Sequence, residues 1–328
     1  MSSFDGTATS DQVVREFSSQ VKGRTFVITG AGQPSIGSSM ATALATASPE
    51  LIVIASRTAE KAEPVLAAIR DLNPGVKASF VQVDLGDHES VRRAAKEILA
   101  ATSSKIDVLI NSAGIMAIKE YTVDKQGIEM QLAANHVGHF LLTNLLVPGL
   151  LAAAAADKER GARVVNLTSI GYRASPFRFD DYNYSGGKTY DLWTGYGQAK
   201  TANILFSFGL TQRLRKFGVI SLAAHPGSNL DTRLGSHLSQ ADYESIFEIT
   251  RRNTGNEFVF DSNPRFKTYD QIGATPLAAA LDPNLTSKAP AFLDNCQVTP
   301  VEGYASDPST VERLWKLSED LVGENFSY

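Results

Sequence analysis

One cysteine, Cys296, stands in 328 residues. No internal disulfide can form, a thiolate zinc site is excluded, and the lone thiol fits a reducing compartment. Charge of one sign is missing too: 31 Lys and Arg against 35 Asp and Glu leave a net −4, with no basic field to draw nucleic acid or an anionic membrane. A membrane span needs about 20 apolar residues in a row. The longest apolar stretch, Phe140 to Ala156, is broken by Thr143, Asn144, Pro148 and Gly149. The opening MSSFDGTATSDQVVREF has no apolar core and does not read as a signal peptide. The closing Phe326-Ser327-Tyr328 is neither a prenylation box nor a peroxisomal address. Asn166, Asn183, Asn284 and Asn325 open Asn-x-Ser/Thr triplets, which carry no meaning in a cytosolic chain. The expectation is a cytoplasmic protein with no nucleic-acid or membrane partner.

Hydrophobic residues at 43% and charged residues at 20% suffice for a sizeable core. Apolar runs at Arg24–Thr29, Leu51–Ala55, Ala78–Val83, Ile106–Ile110, Ala162–Leu167, Val219–Ala224 and Ala291–Leu293 read as strands. Between them lie helical stretches at Ile36–Ala47, Thr58–Asp71 (capped by Thr58), Asp87–Ala101 (capped by Asp87), about Lys125 to Ala155, and Tyr196–Lys216. The strands are continuous rather than alternating, so both their faces are buried. This predicts an α/β fold: a doubly wound (Rossmann), mostly parallel, seven-stranded sheet with helices on both faces. The expected layout is an N-terminal helical extension over 1–20, one dinucleotide-binding domain over 21–305 with substrate loops 171–195 and 228–268, and a C-terminal helix over 306–328.

In such folds ligands bind at the carboxyl ends of the strands. The first turn, Thr29-Gly30-Ala31-Gly32-Gln33-Pro34-Ser35-Ile36-Gly37, is glycine-rich between strand and helix, a place where backbone N–H groups can approach a pyrophosphate. A plain strand–loop–helix connection has the same look. No Asp or Glu occupies residues 51 to 59, and Arg57 follows the second strand. An arginine there suits a ribose 2′-phosphate, with Ser56 and Thr58 as added donors, so NADP(H) is expected over NAD(H); a solvated arginine is the bland alternative. Asp84 and Leu85 sit where adenine would lie. Tyr196 and Lys200, at i and i+4, share a helix face. A nearby ammonium lowers a phenol's pKa and makes it a workable general acid or base. Ser169, just past the fifth strand, is placed to hold a carbonyl oxygen. His136 and His139 have no third ligand at fitting spacing, and no metal site is expected.

Tyr196-Gly197-Gln198-Ala199-Lys200, Asn166-Leu167-Thr168-Ser169, Asn111-Ser112-Ala113-Gly114, Asn135-His136-Val137-Gly138 and the Thr29–Gly37 turn, taken together, resemble the short-chain dehydrogenase/reductases over about residues 20 to 300. The segments 179–187 and 198–203 narrow the resemblance to the branch of retinol dehydrogenases, the WW-domain-containing oxidoreductase and fungal short-chain carbonyl reductases. The resemblance implies a hydride transfer between the nicotinamide and a small-molecule ketone or alcohol. Tyr196 would be the acid/base, Lys200 its pKa partner and a nicotinamide-ribose ligand, Ser169 the holder of the substrate oxygen, and Asn135 the holder of a relay water. Gly30, Gly32, Ser35, Ile36, Gly37, Arg57, Asp84, Leu85, Asn111, Ala113, Gly114, Pro226, Gly227 and Ser228, with Tyr196 and Lys200, would line the cofactor. Homodimers through helices near 125–155 and 196–216 are common in the family. Two departures stand out: Ser35 replaces the middle glycine in a turn one residue longer than usual, and Pro226–Thr232 is also one longer. The aromatic residues Tyr172, Phe177, Phe179, Tyr182, Tyr184, Tyr190 and Trp193 read either as a wall for a bulky apolar substrate or as loop anchors. The stretch Gly235–Lys267 reads either as a mobile lid or as a packed helix followed by a disordered tract. Reduction of a carbon–carbon double bond and a non-catalytic cofactor-sensing protein are the competing readings.

Overall fold

The structure, a computed structural model, describes residues 4–230 and 232–328. Of the N-terminal extension, residues 1–3 lie outside the described residues, as does Asp231 in the loop after the sixth strand. In chain order the main elements are α1 (Ser10–Glu16), β1 (Thr25–Thr29), α2 (Ile36–Ala45), β2 (Leu51–Ser56), α3 (Ala59–Leu72), β3 (Lys77–Gln82), α4 (His88–Ala101) and β4 (Val108–Asn111). They continue with α5 (Met130–Leu132), α6 (Gly138–Ala156), β5 (Ala162–Leu167), α7 (Leu192–Leu214), β6 (Val219–Ala224), α8 (Gln240–Thr254), α9 (Ala274–Leu281), β7 (Phe292–Asp294), β8 (Gln297–Thr299) and α10 (Pro308–Val322).

The sheet runs β3-β2-β1-β4-β5-β6-β7-β8, and every pairing but the last is parallel. The chain reverses direction across the sheet between β1 and β4, which opens the crevice at their carboxyl ends. One core layer joins α2, α3 and α9 to the sheet, and a second joins α4, α6 and α7 to its other face. The continuous apolar strands follow from that double coverage: β1, β4, β5 and β6 are buried at every position.

The sheet has eight strands, not the seven expected. β8 carries no apolar run, and its three residues are half-buried or exposed. What makes it a strand is the two-residue turn before it, Asn295-Cys296, with both φ values in the left-handed region at 49° and 61°; such a turn matches the twist of an antiparallel pair. The helix expected from Lys125 begins instead at Met130, because Gly127 takes φ 79° and the Asp124 N–H donates to the Ile128 carbonyl at 2.8 Å, a tight turn that the Asp124 carboxylate braces by accepting from the N–H groups of Gln126 and Ile128. Thr58 sits at the start of α3 without a side-chain capping bond, whereas Asp87 accepts from the N–H groups of Glu89 and Ser90. The helical stretch Met130–Ala156 is long and apolar enough to cross a membrane, yet 78% of its apolar window is buried inside the fold. The tract after strand six is a capped helix, α8, followed by ordered turns that lead into α9.

Candidate active site

β1 ends at Thr29, and the chain turns through Gly30 with φ at 70°. A Cβ there would fall 2.5 Å from the Ala113 Cα, so only glycine lets the first turn lie on the end of β4. The Thr29 hydroxyl accepts from the N–H groups of Ser112 (2.9 Å) and Ala113 (3.1 Å). Its two lone pairs are then used, and its proton goes to His139 Nε2 at 2.8 Å. That leaves the proton of His139 on Nδ1, facing the Asn135 carbonyl at 3.0 Å. Burial holds His139 neutral, its pKa pushed down to about 4. Thr29 and His139 therefore lock the turn after β4 to the helix that carries Asn135. The partner of His139 is 110 residues away, beyond any local signal.

Asn135 lies in a π-helical turn, Ala133–Val137; such widened turns gather at functional sites. Its side chain accepts from the Ile115 N–H (2.8 Å) and donates to the Ile115 carbonyl (3.0 Å). The open face of Gly114 lies between two of the expected groups: a Cβ there would be 2.8 Å from Asn135 Oδ1 and 3.5 Å from Lys200 Nζ. Asn111 points elsewhere. It donates to Thr143 (2.9 Å) and to Asn166 (2.8 Å), and Asn166 continues to Ser207 and Ser221. This buried ladder ties β4, β5, β6, α6 and α7 together.

Ser169 follows β5 and caps the short 3₁₀ turn Ile170–Ala174, accepting from the Gly171 N–H at 3.0 Å. Its hydroxyl lies near enough to the Tyr196 phenol to favour the ionised form. A Cβ on Gly171 would fall 2.7 Å from Tyr196 Cε1 and 3.2 Å from Ser169 Oγ, so the tyrosine ring lies directly on this backbone. α7 brings Lys200 one turn on, with Nζ 5.5 Å from the Tyr196 ring centroid, donating to the Leu167 carbonyl at 3.3 Å. Both residues are buried, Tyr196 to 4% and Lys200 to 6% exposure. Burial pushes the phenol up to about 12, opposed by the Ser169 hydroxyl. It pushes the ammonium down to about 8. The expected lowering of the phenol by Lys200 is not seen: loss of water dominates, and the ammonium is not among the groups that shift Tyr196.

Around Tyr196 the walls are apolar. Trp193 meets its ring at 6.1 Å and Tyr243 of α8 at 6.0 Å from Trp193, and Ala117, Ile170, Ala174, Ile246 and Phe258 pack in the same cluster. The other loop aromatics are anchors: Tyr172 stacks on Phe292, Phe177 on Phe179, and Tyr190 donates to the Ile118 carbonyl at 2.6 Å. His225, at the end of β6, is buried with neither ring nitrogen partnered among the described residues, and burial holds it neutral at about 3.

The remaining expected cofactor residues sit at the strand ends. Ser35 is the N-cap of α2. Gly32 lies against Lys61 and Gly37 against Ala31, with Ile36 between them in the first turn. Arg57 is exposed at the end of β2, and no ion-pair partner for it occurs among the described residues. Asp84 is exposed and accepts from the Gly86 N–H at 3.0 Å, and Leu85 is buried. After β6, Gly227 takes φ 101° and the Ser228 carbonyl accepts from Lys267. Thr232 is turned to Asn229, whose Oδ1 accepts its N–H at 2.8 Å. The chain's own atoms fit a dinucleotide here. In the β1–α2 turn a Cβ at Gly30, Gly32 or Gly37 would run into Ala113, Lys61 or Ala31, so only glycine keeps the turn this close to the strand ends, and Ser56 Oγ beside Arg57 and Ser112 Oγ after β4 are buried hydroxyls without partners among the described residues. No group of three or more His, Cys, Asp or Glu suited to a metal occurs among the described residues.

A family model for short chain dehydrogenases matches residues 24–242. Mouse retinol dehydrogenase 12 is 34% identical over 305 residues, 93% of this chain and 88% of that protein. The short-chain dehydrogenase/reductase prx1 of Penicillium roqueforti is 34% identical over 314 residues, 92% of this chain and 86% of its own. Among solved structures, an uncharacterised protein of Mycobacterium paratuberculosis superposes with a TM-score of 0.66 at 30% identity, covering 94% of this chain and 96% of that one. An NADPH-bound carbonyl reductase from chicken fatty liver superposes at 0.61 and 20% identity, covering 85% and 100%; at that identity the likeness is one of fold. With the sheet, the β1–α2 turn and the Ser169, Tyr196 and Lys200 cluster in place, the chain belongs to the short-chain dehydrogenase/reductase family, in its retinol dehydrogenase-like branch.

Proposed function

We propose that the protein is an NADP(H)-dependent oxidoreductase that moves a hydride between the nicotinamide and a bulky, apolar ketone or secondary alcohol. The observation that carries the reading is the convergence of Ser169, Tyr196 and Lys200 at one buried, apolar-walled place at the strand ends. The nicotinamide supplies the hydride when bound. The chain supplies the rest. Tyr196, protonated at neutral pH, donates its phenolic proton to the carbonyl oxygen, and Ser169 holds that oxygen with its hydroxyl. Lys200 places its ammonium beside the ring and offers hydrogen bonds to the nicotinamide ribose. Asn135 holds the Ile115 backbone, and with it the turn on which these groups depend. Arg57 with Ser56 supports NADP(H), since an arginine beside a hydroxyl with no partner among the described residues is chemistry for a 2′-phosphate. Trp193, Ile246 and Phe258 support an apolar substrate.

The same reading takes the enzyme as cytosolic, in keeping with the buried free thiol of Cys296, and as active without pairing through α6 and α7. α10 and the C-terminus already cover that face: Phe140 meets Trp315 at 5.0 Å and Phe326 at 5.7 Å, and the Tyr328 hydroxyl donates to Asn144 at 2.8 Å. A fluorescence titration of the purified protein with NADPH and then NADH, followed by a panel of aliphatic and aromatic ketones, tests the reading. NADPH is expected to bind more tightly, with turnover lost in Tyr196→Phe while NADPH binding stays. Turnover of a ketone by Tyr196→Phe at the wild-type rate would refute the assigned acid.

A further inference from the structure

Ser35 stands in the turn where glycine is usual, and its hydroxyl has an unusual set of neighbours. It accepts from the Ser38 N–H at 3.0 Å, and its own backbone N–H donates to Ser38 Oγ at 3.0 Å. Ser38 Oγ gives its single proton to the Ser35 carbonyl at 2.8 Å. The Tyr269 hydroxyl meets the same Ser38 oxygen at 2.5 Å. A hydroxyl has one proton and two acceptor positions. Since the Ser38 proton is committed, Tyr269 is the donor, and both acceptor positions of Ser38 are filled. Ser35 Oγ donates to this already occupied Ser38 oxygen only at 3.3 Å, long and therefore weak for an O–H···O bond. The Ser35 proton is therefore only weakly held within the cap, and Ser35 is half-buried while Ser38 is buried.

Tyr269 is held for this contact from both sides. Its carbonyl accepts from the Ser39 hydroxyl at 2.9 Å, and the next carbonyl, of Asp270, accepts from the Ser10 N–H at 2.7 Å. Two residues earlier, the Lys267 N–H donates to the Ser228 carbonyl at 2.8 Å, and the Asn229 amide donates to the Lys267 carbonyl at 2.8 Å. Residues 267–270 thus strap the loop after β6 to the first turn of α2, the two ends of the crevice in which a dinucleotide would lie.

We propose that Tyr269 is a positioning residue for the dinucleotide: by occupying Ser38, it keeps the Ser35 hydroxyl proton only weakly held and so able to donate to the pyrophosphate. The proposal rests on the cofactor reading above. Without the tyrosine hydroxyl, Ser35 turns its proton to the vacated position on Ser38, and the substitution of serine for glycine becomes only an obstruction.

Tyr269→Phe, Ser35→Gly and the double variant separate the possibilities. NADPH affinity is read by fluorescence titration, and thermal unfolding without dinucleotide reports on the fold. Tyr269→Phe is expected to weaken NADPH about tenfold in the Ser35 chain and not at all in the Ser35→Gly background, while the unfolding midpoint moves equally in both. Ser38→Ala gives a second route, because it removes the competing acceptor: Tyr269→Phe must be silent there as well. An unchanged affinity in the Ser35 chain, or the same loss in every background, overturns the role assigned to Tyr269. A wild-type protein that binds neither NADPH nor NADH overturns the cofactor reading itself, an outcome distinct from additive variants of a chain that binds NADPH.

Discussion

Lys200 is a cation that the fold keeps dry, and its removal should stabilise the protein. Burial is the cause that lowers its pKa from 10.5 to about 8. That difference corresponds to about 3 kcal/mol of disfavoured charge at pH 7. The folded value lies below the unfolded one, so the folded chain releases the proton first. The penalty is full below about pH 8, shrinks as pH rises toward 10.5, and is gone above it. Lys200→Met keeps an unbranched stem of similar reach and removes the ammonium. It also removes one hydrogen bond, at 3.3 Å to the Leu167 carbonyl, worth about 1 kcal/mol. That carbonyl still accepts from Asn203 at 2.9 Å, so no buried group is left bare. The net expectation is a gain of about 2 kcal/mol at pH 7, which for a chain of this size is a rise of about 3 °C in the unfolding midpoint. By pH 10.5 the gain is replaced by the small loss of the hydrogen bond. Guanidinium and thermal unfolding without dinucleotide, at pH 7 and pH 10, measure it, and carbonyl reduction by the variant should fall at least a hundredfold. A lower midpoint at pH 7, or a difference from wild type that does not change with pH, would show that the ammonium is solvated or paired and would refute the reasoning.

Three other outcomes follow from the site. Gly171→Ala puts a methyl 2.7 Å from Tyr196 Cε1; it should displace the ring and cut kcat by about a hundredfold while NADPH binding, read by fluorescence, stays near wild type. Arg57→Glu places a carboxylate at the end of β2 and should exchange the NADPH preference for NADH, with the ratio of kcat/KM values moving by about a hundredfold. In pH profiles, Tyr196 stays protonated through the neutral range because burial holds it up near about 12, so carbonyl reduction should be flat below pH 8. It should decline above pH 8 as Lys200 loses its charge, and Lys200→Arg should carry the decline to higher pH.

The sheet was legible because its strands are covered on both sides. A run such as Leu51-Ile52-Val53-Ile54-Ala55 has no polar face to present, and that alone implies a parallel sheet under helices. β8 was not legible, because three residues with half-exposed side chains carry no pattern; the information sits in the left-handed Asn295-Cys296 turn. The false first turn of the long helix has a similar origin. The segment 125–128 turns at Gly127, whose φ of 79° no helix adopts, and the Asp124 N–H closes that turn on the Ile128 carbonyl.

The candidate site divides along the same line. Tyr196 and Lys200 are four residues apart on one helix, and Ser169 ends a strand, so their spacing and position are written locally. What fixes them is not. Thr29 reaches His139 across 110 residues and Tyr269 reaches Ser38 across 231; neither pair leaves a periodicity or a motif. These long-range hydroxyl and imidazole contacts decide which protons are free, and so what the local motif can do. Burial then acts on the two central groups in opposite senses, raising the phenol and lowering the ammonium. At neutral pH the phenol therefore stays protonated, beside an ammonium whose proton is more readily lost than usual. Burial is thus the common cause of both shifts, and it comes from the fold around the motif rather than from the motif itself.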